Sequence, residues 1–139
     1  MSFSKYHDIQ IPTRIIHGAG SRQKLPELVE GTRPLVVTDV GLVKAGIVES
    51  ILQLLSEHAV NYSVFAGALP NPPAQCVHAG AKHYHKDNCT SIIAVGGGSA
   101  MDVAKMIGVV VTHNGRINNY LGPNKVIKNI PPLYCIATT

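Results

Sequence analysis

The sequence predicts an α/β fold: a Rossmann-like parallel sheet flanked by helices. Three observations carry that prediction. Apolar runs of four to six residues alternate along the chain with longer stretches of helical spacing. The short runs lack the polar alternation of a half-buried strand, so both faces of their sheet must be covered. Asp39, Asn71, Gly96 and Thr138 each come after one of the runs, where a strand gives way to a turn or a helix start. A length of 139 residues fits one domain, and 45% hydrophobic against 14% charged residues suffices to fill a core.

Residues 13–17 read as a short N-terminal strand, turned by Gly18-Ala19-Gly20, with Ser21 placed to cap a short helix to about residue 30. Residues 34–38 are rich in β-branched side chains between Gly31 and Gly41 and read as a buried strand. Val43, Ile47, Val48, Ile51, Leu54 and Leu55 recur at helical spacing, predicting one helix over 42–58. A strand over 61–66 follows. Pro70-Asn71-Pro72-Pro73 stops all regular structure, and Pro73 suits the first turn of a helix to about residue 86. Residues 91–95 form a continuous apolar strand run, residues 100–112 a helix, and 130–137 contain a last strand.

Composition excludes several functions. The net charge of +4 arises from dispersed Lys and Arg with few aromatics, which argues against nucleic acid and fits a surface attracting a small phosphorylated ligand. No apolar run approaches the roughly 18 residues of a membrane span, and the polar residues 1–8 lack a signal-peptide core, so a cytoplasmic protein without a membrane partner is expected. Cys76, Cys89 and Cys135 are odd in number and widely spaced, as reduced thiols are. His83 and His85 point to different sides of a helix, and His78 and His85 lie two turns apart. No metal site is expected among them.

A covered parallel sheet binds ligands at the carboxyl ends of its strands, where the strand order reverses. Gly96-Gly97-Gly98-Ser99 is the strongest signal there: glycines allow positive φ and close approach, and the following helix offers free amides to a pyrophosphate. The same four residues also suit a plain tight turn. Asp39 either accepts ribose hydroxyls, favouring NAD over NADP, or caps the next helix. Ser99 and Asp102 have the spacing of a capping box, and Asp102 and Lys105 that of an intrahelical ion pair. Thr138-Thr139 would bring two hydroxyls to the same edge. A chain stopping there reads as a piece of a longer protein.

Taken in order, these segments resemble the N-terminal part of the iron-containing (group III) alcohol dehydrogenase family. The resemblance rests on Ile16-His17-Gly18-Ala19-Gly20-Ser21, Val36-Val37-Thr38-Asp39, Pro70-Asn71-Pro72 and the stretch from Ala94 through the glycines to Lys105. Asn119-Tyr120-Leu121-Gly122 and Ile136-Ala137-Thr138-Thr139 complete it. It implies that residues 1–139 are a dinucleotide-binding domain, followed in the parent by a helical domain whose one Asp and three His hold a divalent metal, iron by the family's name. Asp39 would bind the adenosine ribose, Gly96, Gly97, Gly98 and Ser99 the pyrophosphate, and Asn71, Asp102, Thr138 and Thr139 the rest of the cleft. This chain would hold neither catalytic nor metal-ligating residues.

The implied activity is reversible hydride transfer between a small alcohol or aldehyde and NAD, in a homo-oligomer. Two departures are visible: His17 replaces a common Phe, and Ala137 a common Pro. A glycerol-dehydrogenase-like or dehydroquinate-synthase-like relative shares the same expectations of fold. A stand-alone nucleotide-binding module is the reading without chemistry.

Overall fold

A computed structural model describes residues 11–138; residues 1–10 and Thr139 lie outside the described residues. Four strands, β1 (Pro34–Val37), β2 (Ser63–Phe65), β3 (Ser91–Gly96) and β4 (Leu133–Ala137), form one sheet in the order β2-β1-β3-β4. All three pairings are parallel, with Leu35 opposite both Ser63 and Ile92, and Ile92 opposite Leu133. The helices are α1 (Leu25–Leu28), α2 (Val40–Lys44), α3 (Ile47–Glu57), α4 (Ala74–Lys86) and α5 (Gly98–His113), with 3-10 turns at Ser21–Lys24 and Ile117–Tyr120.

The period of two along a strand explains the three layers. Leu35, Val37, Ile92 and Ala94 pack with Val77, Ala81, Val103, Ala104 and Ile107 of α4 and α5. Val36, Ile93 and Val95 face the other way, against Leu25, Val29, Val48, Ile51 and Leu55. Every residue of β1 and β3 is buried, which is why neither sequence run alternates with polar residues. No helix among the described residues is long and apolar enough to cross a membrane.

Four expectations are corrected. Residues 13–17 form no strand: no neighbouring strand pairs with them among the described residues, and Ile11 and Ile15 are three-quarters exposed. The helix expected over 42–58 is two helices, α2 and α3, because Gly46 between them adopts φ +74°. Ser21 caps nothing; Gly20 occupies the cap position without a side-chain bond. In place of one short helix stand a 3-10 turn over Ser21–Lys24 and the single turn of α1, whose first turn holds Pro26, a residue with no amide to give. The last helix opens at Gly98 and not at Ala100.

Titratable groups gather where α4 ends, at the amino edge of the sheet. The Ser63 hydroxyl, then the His83, Lys86 and Arg33 charges, hold the Asp87 carboxyl below its ordinary range against some desolvation, and His83 Nε2 lies 3.0 Å from it. Burial pushes the Tyr84 hydroxyl and the Cys89 thiol up. The depressed acid stabilises the fold above its unfolded pKa and loses that contribution as pH falls. The two raised groups contribute below their unfolded pKa values and lose it as pH rises. Urea midpoints measured across pH should therefore fall on both sides of neutrality. Asp87→Asn should flatten the acid limb and, because burial rather than the Asp87 charge is the main cause of the raised Cys89 thiol, keep most of the alkaline limb.

Candidate cofactor site

Two crossovers leave neighbouring strands in opposite directions. β1 runs through α2 and α3 to β2 on one side, whereas β3 runs through α5 to β4 on the other. The crevice between the carboxyl ends of β1 and β3 is thus the topological switch point, where open α/β sheets bind ligands.

Asp39 stands on one side of it. Its Oδ1 accepts the Leu42 amide at 2.9 Å and caps α2. Its Oδ2 lies 3.9 Å from the position a Cβ would take at Gly96, across the crevice. The cap reading and the ligand reading therefore use different oxygens of one carboxylate.

The glycine run stands on the other side, and its members differ. Gly96 has φ +152°, and a Cβ there would lie 2.7 Å from the Ala100 Cβ and 3.2 Å from Leu42 Cδ1. Gly97, expected to share the positive φ of the loop, sits at φ −86° and is the N-cap of α5 with no side-chain bond. The first helical bond runs from the Met101 amide to the Gly97 carbonyl at 3.2 Å, so the amides of Gly98, Ser99 and Ala100 have no partner within the helix. At Gly98 a Cβ would meet nothing within 4 Å. Open space before free amides at the positive end of a 16-residue helix is a cradle for an anion such as a pyrophosphate.

The remaining expected residues are placed less closely. The Thr138 amide donates to the Gly96 carbonyl at 3.2 Å, bringing the end of β4 to the glycine loop. Asn71 is exposed at φ +45° on the loop after β2, at the same sheet edge but one strand outward from the crevice. Asp102 is exposed one turn into α5. Ser99 is the second residue of the helix and not its cap, so Ser99 and Asp102 form no capping box. Among the described residues, Asp102 and Lys105 form no ion pair. Thr139 lies outside the described residues.

Sequence reasoning passed over Thr38. It is fully buried one residue before Asp39, and its Oγ1 is the buried side-chain oxygen without a partner among the described residues. Only its place at the strand end, beside a carboxylate, could have marked it. On β4, partial desolvation pushes the Cys135 thiol up against the opposing pull of the Lys105 ammonium. A cavity of about 640 Å³ opens at the opposite, amino edge, lined by Glu27, Glu30, Arg33 and His58, and contains none of the expected site residues. No three His, Cys, Asp or Glu among the described residues come together to hold a metal ion.

Known proteins resemble this chain over most of its length. The family model for iron-containing alcohol dehydrogenase matches residues 12–139. The choline dehydrogenase of Bacillus subtilis (strain 168) is 40% identical over 99% of this chain and 36% of its own length. The NAD-dependent methanol dehydrogenase of Bacillus methanolicus is 33% identical over 93% of this chain and 35% of its own. A crystal structure of 1,3-propanediol oxidoreductase superposes with a TM-score of 0.83 at 34% identity, covering 88% of this chain and 33% of that one. The NADH-dependent butanol dehydrogenase A of Thermotoga maritima does so with 0.85 at 25% identity, covering 96% and 35%. The chain spans about a third of the length of the relatives it matches.

Proposed function

Because the chain belongs to the iron-containing alcohol dehydrogenase family, we propose that its residues 1–139 are the cofactor-binding domain of an enzyme passing hydride between a small alcohol or aldehyde and NAD. One observation supports this reading above the others: a free carboxylate oxygen of Asp39 faces the open, uncapped start of α5 across the switch point.

NAD, when bound, supplies the hydride-accepting ring. The chain's own residues bind and orient it. Asp39 Oδ2 accepts the adenosine ribose hydroxyls, while Oδ1 keeps α2 in place. The amides of Gly98, Ser99 and Ala100 and the Ser99 hydroxyl hold the pyrophosphate, with Gly97 turning the chain into the helix and Gly96 allowing the loop to close on Ala100. Asn71, Asp102, Thr138 and Thr139 line the rest of the cleft. The described residues offer no ligand set for the family's iron. The reading assigns that ion to the part of the relatives' length outside this match, and the parent to the cytoplasm as a homo-oligomer.

Titration calorimetry of this chain tests the assignment. NAD and ADP-ribose should both bind, since both carry the ribose and pyrophosphate, and added alcohols with iron or zinc should give no NADH. Absence of binding by a folded chain, or turnover by it, would refute the division of labour.

A further inference from the structure

Helix α5 ends on a histidine with both ring nitrogens committed. His113 Nδ1 lies 2.9 Å from the Val109 carbonyl oxygen, which only accepts, so Nδ1 carries a proton. Nε2 receives the backbone amides of Ile127 at 3.3 Å and Lys128 at 3.2 Å, so it must keep its lone pair. Only the neutral ring protonated at Nδ1 makes all three bonds. The Tyr120 ring packs on the imidazole with centroids 4.9 Å apart, and its hydroxyl donates to the His113 carbonyl at 3.3 Å.

We propose that His113 is an acid-sensitive latch on the connection between α5 and β4. Protonating Nε2 turns the acceptor of two amides into a donor and sets an N–H against each of them. Burial does not compete with the loss, because residues 121–129 are exposed, Leu121 and Ile127 at 69% and 80%. Nor does a neighbouring acid hold the charged ring in place. The returning chain, residues 114–132, brings Arg116, Tyr120, Lys125 and Lys128, and no carboxylate. Helix α4, packed beside α5, carries His78, Lys82, His83, Tyr84, His85 and Lys86, with Asp87 at its end already paired with His83. Within α5 the nearest charged residues are Asp102 and Lys105, two or more turns away; β4 adds Tyr134 and Cys135. Release would slacken the segment that delivers β4, and with it Thr138, to the Gly96 loop.

Amide exchange followed by NMR on this chain decides the matter. Histidine changes charge between about pH 5 and 8. Protection factors of the Ile127 and Lys128 amides, corrected for intrinsic exchange, should fall roughly tenfold from pH 8 to pH 5 as two modest bonds are lost. The fall should follow the titration of the His113 ring signals. In His113→Gln, whose amide oxygen accepts without titrating, protection should be the same at both pH values. Constant protection in the wild type across this range, or the same pH-dependent fall in His113→Gln, would overturn the latch.

Discussion

Replacing Asp39 with glycine is expected to shift the cofactor preference from NAD toward NADP by at least tenfold. A 2′-phosphate would set its charge against the carboxylate and displace Oδ2 from the ribose hydroxyls. At ~4 Å and an effective dielectric near 20, each pair of unit charges repels by about 4 kcal/mol before screening reduces it. A remainder of only ~1.4 kcal/mol is a factor of ten. The substitution also removes the cap that Oδ1 gives to the Leu42 amide. Glycine is a tolerable cap, costing a few tenths of a kcal/mol relative to Asp, so a general collapse of α2 is not expected. Asp39→Asn separates the two roles, since it retains a capping oxygen and drops the charge. Calorimetric affinities for NAD and NADP measure the outcome. An unchanged ratio in both variants would place the ribose elsewhere.

The second large effect distinguishes two glycines that look alike in the sequence. Gly98→Val should leave the fold intact, because nothing lies within 4 Å of the new Cβ, yet lower NAD affinity by two orders of magnitude or more through occupation of the pyrophosphate space. Gly96→Ala should do the reverse in kind. Its φ of +152° is costly for any side chain, and its Cβ would collide with Ala100 and crowd Leu42, so the expected loss is stability, about 1–3 kcal/mol. Thermal melts alongside NAD titrations separate the two. A folded Gly98→Val chain that binds NAD normally would remove the phosphate from this helix start.

That difference marks the boundary of what the sequence discloses. β1 and β3 are legible because unbroken runs such as Leu35-Val36-Val37 and Ile92-Ile93-Ala94-Val95 suit only a sheet covered on both faces. The carboxyl edge follows from the alternation of elements. The break at Gly46 is hidden because Val43 and Ile47 keep their four-residue spacing across it, and periodicity does not register one left-handed residue. Residues 13–17 mislead because Ile15 and Ile16 signal burial, whereas a strand also needs a partner. Asp39 was legible as a carboxylate at a strand end, but that Oδ1 caps α2 while Oδ2 is turned toward Gly96 is a matter of geometry. His113 carries no signal at all, since the amides it holds lie 14 and 15 positions further on, in a loop without pattern.

The order β2-β1-β3-β4 also sets a timetable for synthesis. β1 is an interior strand whose inner edge waits for β3, made later, and the clasp at their amino ends joins the Arg33 amide to the Thr90 hydroxyl, 57 positions later. Until then, among these four strands, β1 can pair only with β2, leaving its other backbone edge open on a growing chain. Distant parallel pairings form slowly, and unpaired edges are what aggregating nascent chains share. β1 is therefore complete only once β3 has been made, and yield on expression should depend on how quickly β3 follows it out of the ribosome.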